Sequence, residues 1–440
     1  MTSPRQRSPG GGNEKRREKS PEGADHDSFR VYIRCRPLLG KEKASPQSGP
    51  NSKPKRQDIV KLQDNVVFVL DPDGHYGRRD RSYAFDRTFG GDTDNQTLYQ
   101  RSIKDIVLKS LDGYNCTVFA YGMTGAGKTH TMLGNIYEPD ETKWEKGLCF
   151  LAVEDLFSKI EVMRENNNFK IKLSYMEIYN EQVKDLLVKD SPSLMIVEDP
   201  SRGIVVTNLT EFPISTLPEV RKLIMTGNER RTMAPTGANQ FSSRSHAIIM
   251  LHIEHKDKAR NIVESVNMSK LSLIDLAGSE RGAASDNRGK RLMEGANINR
   301  SLLALGNCIN ILSDSKKGGQ FVPYRDSKLT RLLKDSLGGN TRTSMVACVS
   351  PAAVCYEETI NTLKYASRAR DIKKKITKNV KEVEVHVSRY KEIITSLKSE
   401  IEVLRGQLKR QTGDDPAPLM DSFGEVETLS MSNERHQLSE

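Results

Sequence analysis

Along residues 59–373, short β-branched apolar runs alternate with longer stretches whose apolar positions recur every three or four residues. Strands are predicted at 66–70, 117–120, 170–175, 247–254, 270–274 and 344–349, preceded by one at 30–36 that Pro37 stops. Helices are predicted at 98–111, 153–165, 218–226, 293–313 and 356–373. This alternation predicts one α/β domain over residues 28–373, with a central mixed sheet and helices on both faces.

Both ends depart from that pattern. Residues 1–27 are rich in Ser, Pro, Gly, Arg and Glu and read as a disordered arm, with Ser-Pro pairs at Ser3, Ser8 and Ser20. A second low-complexity stretch, 41–58, reads as a surface insertion. After Lys373, Val383, Val385 and Val387 alternate with polar residues, so 374–387 reads as extended. Val387, Tyr390, Ile394, Leu397, Ile401, Leu404 and Leu408 then recur at three and four, giving a helix over 388–410. Its seam of about three heptads fits either a short coiled coil or a helix packed back on the domain. Residues 411–440 read as an acidic disordered tail.

Composition narrows the partners. The 440-residue chain carries 68 Lys and Arg against 58 Asp and Glu, a net +10. Residues 412–440 hold seven acids against Arg435, a net −6, which leaves +16 on the rest. Such a balance favours an acidic partner, whether nucleic acid, anionic membrane or acidic protein. No apolar run is long enough to span a membrane, and no secretory signal follows Met1, so an intracellular protein is expected. The six cysteines show no C-x-x-C pair, which argues against a zinc site or a disulfide framework.

The chemistry is concentrated in three segments. Gly122-Met123-Thr124-Gly125-Ala126-Gly127-Lys128-Thr129 fits G-x-x-x-x-G-K-[ST] directly after the strand at 117–120. Its glycines let backbone N–H groups surround phosphate oxygens, Lys128 neutralises the outer phosphates, and the Thr129 hydroxyl can ligate Mg²⁺. The strand at 270–274 delivers Asp275 to the end of the sheet, placed to hold Mg²⁺ through water. Gly278, three residues on, has no side chain to keep its N–H from a terminal phosphate. Asn239-Gln240-Phe241-Ser242-Ser243-Arg244-Ser245-His246 gathers polar groups just before a strand, which is costly unless they have partners.

Together with the run V-P-Y-R-D-S-K-L-T-R-L-L-K-D-S-L-G-G-N, these segments resemble the kinesin motor domain over residues 29–373. The resemblance implies a P-loop NTPase-type motor fold, with ATP and Mg²⁺ as cofactors and microtubules (tubulin) as partner. It implies that Arg34, Pro37 and His130 flank the adenine, that Ser243 also reaches Mg²⁺, and that Ser242 closes on the γ-phosphate while Asn239 supports the closed loop. It further implies an ion pair between Arg244 and Glu280 that positions the attacking water. Met123 stands where kinesins commonly show Gln or Ala.

By the same resemblance, the polymer-binding face includes Arg288, Lys290, Arg291, Lys316, Lys317, Arg325, Lys328 and Arg331. Residues 281–342 hold twelve basic residues against five acidic ones, a net +7. Arg78, Arg79 and Arg81 read either as a second contact finger or as an idle hairpin; the Lys-Val-Asp triplet of non-motile depolymerising kinesins is missing there. Residues 374–387 look like a neck linker, with Asn379 at the family's latch position. Fully extended, they reach roughly 45–50 Å. The kinesin-8 class is the nearest likeness, which implies a plus-end-directed motor, a homodimer through the neck helix, and residence on cytoplasmic or spindle microtubules. Two other readings compete: a microtubule-end length regulator or depolymerase, and a nucleic-acid-dependent P-loop ATPase, which leaves residues 242–246 and 323–340 without a purpose.

Overall fold

The computed structural model describes residues 25–43, 58–72, 80–140, 142–200, 203–232, 243–257, 264–280, 290–314, 320–383 and 387–412. The strands, in chain order, are β1 (Asp25–Ser28), β2 (Arg30–Cys35), β3 (Val60–Gln63), β4 (Val66–Val69), β5 (Arg81–Ala84), β6 (Arg87–Phe89), β7 (Cys116–Tyr121), β8 (Asn167–Tyr179), β9 (Gln182–Asp185), β10 (Ile196–Asp199), β11 (Gly203–Val206), β12 (Phe212–Pro213), β13 (His246–Asp257), β14 (Glu264–Asp275), β15 (Arg342–Val349), β16 (Lys373–Ile376) and β17 (Val380–Val383). The α-helices are α1 (Gly40–Lys43), α2 (Asn95–Leu98), α3 (Lys104–Lys109), α4 (Lys128–Leu133), α5 (Leu148–Met163), α6 (Leu217–Thr232), α7 (Lys290–Ser313), α8 (Lys328–Leu332), α9 (Lys334–Gly338), α10 (Tyr356–Arg370) and α11 (Val387–Thr412).

The central sheet runs β12-β8-β13-β14-β7-β15-β2-β6, with β9 on β8 and β17 beside β14. Its middle is parallel from β14 through β7, β15 and β2 to β6, and its other half is antiparallel. This is the expected mixed sheet. Strand β7 shows why its sequence is a continuous apolar run: Val118 and Ala120 enter one core, Phe119 and Tyr121 the other. The first core also takes Leu98, Phe150, Leu156 and Ile224 from helices; the second takes Leu305 and Leu363. Helices therefore cover both faces.

Several boundaries differ from the sequence reading. The stretch expected as one helix at 98–111 is α2, a π-turn at Tyr99–Ile103 and α3. Helix α10 ends at Arg370, and Lys373 opens β16 instead of closing the helix. Asp25–Ser28, whose first three residues were expected in the disordered arm, forms β1 and pairs antiparallel with β16, Asp25 opposite Ile376. Here strand pairing supplies order that a polar tetrapeptide does not signal alone. Within the expected 41–58 insertion, Lys41–Lys43 belongs to α1, and Asp58 bridges to Ala352. The short strands β3, β6 and β9–β12 lie outside the expected set, because two to four residues give too little periodicity to read.

The chain divides into two compact units, one ending at Glu382 and the other containing α11. Helix α11 has 26 residues and spans about 39 Å at 1.5 Å per residue. Its seam residues Ile394, Leu397, Ile401 and Leu404 are each more than a third exposed.

Candidate nucleotide site

Strand β7 carries the chain to the end of the parallel sheet, and the loop at 122–127 turns it into α4. Gly122 has φ +145°, and a Cβ there would lie 2.1 Å from the Cys348 carbonyl oxygen, so the loop passes β15 at a distance only glycine permits. Lys128 opens α4 at 6% exposure, with Nζ donating to the Met123 carbonyl at 3.0 Å. Burial pulls its pKa down. Arg36 Nε donates to the Gly125 carbonyl at 2.9 Å while its guanidinium also pairs with Glu42 of α1. Glu42, on the edge of the expected insertion, thus anchors an arginine that braces the loop. Neither residue was singled out in the sequence.

Strand β14 ends at Asp275, parallel to β7 and opposite Ala120 in register. That register brings the Thr129 hydroxyl to Asp275 Oδ2 at 2.7 Å. Asp275 is 4% exposed, and its Oδ1 is buried without a hydrogen-bond partner. A hydroxyl and a carboxylate with one orphaned oxygen form a hard-oxygen donor set that fits Mg²⁺ completed by phosphate and water. Arg231, near the C-terminal end of α6, places Nη1 3.5 Å from Asp275 Oδ2. Its remaining donors hold Ser245 Oγ and the Ser245 carbonyl, both at 2.8 Å. Arg231 does not stand out by pattern, because a charged run at a helix end usually faces solvent; here it is the largest fully buried side chain among the described residues.

The loop after β14 is tied down on three sides. Gly278 N–H donates to the Ser243 carbonyl at 2.9 Å, and Ser279 N–H to the Gly122 carbonyl at 3.0 Å. Glu280 accepts from Thr124 N–H at 2.8 Å and from the Thr124 hydroxyl. A Cβ on Gly278 would fall 2.2 Å from Thr124 Oγ1 and 2.3 Å from Glu280 Oε2, so a side chain there would displace the Thr124–Glu280 contact. Ala277 N–H donates to His246 Nδ1 at 3.1 Å, and His246 Nε2 meets Ser301 Oγ of α7 at 2.9 Å. With Nδ1 accepting, the proton sits on Nε2. Burial first, then Arg231 and Lys128, lower the His246 pKa to about 3, so the ring is neutral.

The structure therefore brings the phosphate loop, Asp275, Gly278, Glu280 and Ser243 together. Ser243 and Arg244 immediately precede β13; Asn239 and Ser242 lie outside the described residues. Of the expected adenine residues, Pro37 is exposed, His130 is half exposed beside Glu145 at 3.1 Å, and Arg34 is 8% exposed. Its guanidinium donates to Asn95 Oδ1, to Thr131 Oγ1 at 2.8 Å and to the Thr93 carbonyl at 3.1 Å, bracing α4 from behind. Among the basic residues, Arg325 and exposed Arg81 are described, with Lys328 and Arg331 on α8. Lys290 and Arg291 begin α7, while Arg78, Arg79, Arg288, Lys316 and Lys317 fall outside the described residues.

Comparison with known proteins agrees with this geometry. Residues 34–372 match the kinesin motor domain model. Kinesin-like protein KIF18B of Homo sapiens is 41% identical over 91% of this chain and 47% of its own length. Kinesin-like protein KIF18A of Mus musculus is 46% identical over 87% of this chain and 43% of its own. The chain thus spans about half the length of the curated relatives it matches. Among solved structures, a fast kinesin described for its ATPase mechanism and interactions with microtubules is 38% identical at TM-score 0.71, covering 80% of this chain and 94% of that one. A KIF14 dimer with AMP-PNP, in complex with a microtubule, is 34% identical at TM-score 0.70, covering 80% of this chain and 96% of that one.

Proposed function

The chain belongs to the kinesin motor-domain family, and we propose that it is an ATP-hydrolysing, plus-end-directed microtubule motor of the kinesin-8 class. The observation that carries the reading is the junction of phosphate loop and switch segments: Thr129 on Asp275, Glu280 on Thr124 and the Gly278 N–H on Ser243. Kinesin motor domains in general bind ATP with Mg²⁺. In this chain Thr129, Ser243 and Asp275 would hold the ion, which supplies charge neutralisation at the phosphates.

The residues' own work is positioning. The loop of Gly122, Met123, Thr124, Gly125, Ala126 and Gly127 wraps the phosphates, with Lys128 against their outer oxygens. Pro37 and His130 take the two faces of the base, and Arg34 braces the wall. When a terminal phosphate draws the Gly278 amide away from Ser243, Glu280 leaves Thr124 for Arg244, and the pair orients the attacking water, with Ser242 and Asn239 closing over it. The same movement displaces Ala277 and, through His246 and Ser301, helix α7.

Beyond the site, Arg325, Lys328 and Arg331, with Lys290, Arg291, Arg288, Lys316 and Lys317 of the same region, form the tubulin-facing surface. Residues 374–387 act as the neck linker, and 388–410 pairs two chains through the exposed seam of Ile394, Leu397, Ile401 and Leu404. The likeness to KIF18A and KIF18B also favours a second reading, length control at microtubule ends, to which Arg78, Arg79 and Arg81 would contribute.

The deciding measurement is ATPase rate with and without microtubules, beside gliding and end-shrinkage assays. Stimulation with gliding is expected. No stimulation overturns the motor reading, and shrinkage without gliding replaces it with the second.

A further inference from the structure

Strand β16 alternates: Lys373 and Lys375 are exposed, while Lys374 and Ile376 turn inward. Lys374 is 5% exposed. Its ammonium donates to the Ser336 carbonyl at 2.7 Å, the Thr341 carbonyl at 2.7 Å and the Thr343 hydroxyl oxygen at 2.8 Å. It also stands 5.1 Å from the centroid of the Phe29 ring. Three acceptors match the full donor capacity of an ammonium, and the ring face adds attraction for its charge. The cage draws on α9, the turn after it, β15 and the residue joining β1 to β2. It is itself braced, since the Thr343 hydroxyl donates to the Ser336 carbonyl at 2.6 Å.

Lysines are rarely buried to this depth, because an ammonium leaves water only where its hydrogen bonds and charge are compensated. The cage has a further consequence for the chain beyond it. Five residues on, Asn379 N–H donates to the Gly113 carbonyl at 3.0 Å, Met268 N–H to the Asn379 carbonyl at 3.1 Å, and Asn340 Nδ2 to Asn379 Oδ1 at 3.1 Å. Asn340 Oδ1 also accepts from Thr377 N–H at 2.7 Å. Those contacts follow directly on β16, whose register is held by pairing with β1, by buried Ile376 and by the Lys374 ammonium in its cage.

We propose that Lys374 is the positioning residue that seats the neck on the motor: its ammonium plugs the cage of Ser336, Thr341, Thr343 and Phe29, and this plug governs whether residues 377–383 align along β14. The proposal rests on reading 374–387 as a neck linker. Withdrawing the ammonium takes its three hydrogen bonds from the cage and leaves the Ser336 and Thr341 carbonyls to share the Thr343 hydroxyl, which penalises the docked arrangement and leaves the nucleotide site untouched.

The test uses the full chain with Val380→Cys carrying a maleimide spin label; Val380 is 52% exposed and all six native cysteines are buried. Label mobility is measured on microtubules with ADP and with a non-hydrolysable ATP analogue. The analogue is expected to immobilise the label in the parent protein, and Lys374→Met to reduce the immobilised fraction at least fivefold while basal ATPase stays within twofold. In parallel, wild-type protein is treated with an amine-reactive succinimidyl ester and mapped by mass spectrometry. Modification of Lys374 should fall at least tenfold with the analogue, while Lys373 and Lys375 change less than twofold; this arm decides the matter even where Lys374→Met does not fold. Equal immobilisation in Lys374→Met, or equal modification of Lys374 and Lys373 in both states, overturns the proposal. A parent label indifferent to nucleotide overturns the neck reading and the proposal together, whereas microtubule stimulation of ATPase reports on the motor reading separately.

Discussion

Glu280 gives both carboxylate oxygens to a single residue of the phosphate loop, Thr124, one to its backbone N–H and one to its hydroxyl. In this arrangement both carboxylate oxygens are turned toward Thr124. On the proposed mechanism Glu280 exchanges Thr124 for Arg244 before hydrolysis, a step that binding alone does not need. Glu280→Ala should therefore lower kcat at least about 100-fold while ATP affinity stays within about threefold. Parallel loss of affinity and turnover would remove Glu280 from the catalytic role.

Arg231 predicts a stability effect. Its guanidinium is a countercharge of Asp275, 3.5 Å away, beside Lys128, and it holds Ser245 through two further bonds. Replacing Arg231 with Met removes one of two cations near Asp275, Lys128 being the other, and both bonds to Ser245, a change that costs roughly 2–3 kcal/mol. Chemical denaturation of Arg231→Met against wild type measures it. A loss below about 1 kcal/mol would mean that Asp275 finds its compensation elsewhere.

His246 sets a pH dependence with a definite sign. Folded, it takes a proton only near pH 3, whereas the unfolded side chain titrates near 6.5. Between those values the unfolded state binds the extra proton, so acidification destabilises the fold; above about 6.5 the contribution is flat. The slope for one such proton approaches about 1.4 kcal/mol per pH unit. Melting curves at pH 7.5, 6.5 and 5.5 should show a shallower acid loss in His246→Gln than in wild type, since all other titrating groups are shared. Equal slopes would show that the imidazole is not held neutral.

Legibility in the sequence followed the length scale of each signal. The phosphate loop and D-L-A-G-S-E were visible because both are contiguous and follow apolar strands; β7 and β14 are parallel neighbours, which is why two motifs about 150 residues apart meet. Arg231, Arg36 and Lys374 were not legible, because each owes its role to partners far away in sequence and stands among other charged residues that look solvated. The hydrogen bonds of Arg34 were equally hidden. A strand places alternate residues on opposite sides, but only the packing of Asn95 and Thr131 decides which side holds the guanidinium's partners.

The basic face yields the final prediction. Lys334 is bonded to Glu198, and Lys334 first, then Arg325 and Arg331, hold the Glu198 carboxyl below its ordinary range. The acid therefore sits within the field of the residues assigned to tubulin and offsets part of it. If that surface meets an acidic partner, each of Arg325→Ala, Lys328→Ala and Arg331→Ala should weaken microtubule binding, and Glu198→Gln should strengthen it by about twofold to threefold at low ionic strength. Exposed charges are screened within about 8 Å at physiological salt, so all four effects should shrink together as salt is raised. Co-sedimentation with microtubules across a salt series measures this directly. Weaker binding by Glu198→Gln would show that the pair with Lys334 shapes the surface instead of neutralising it, and salt-independent binding would remove the electrostatic assignment of the whole face.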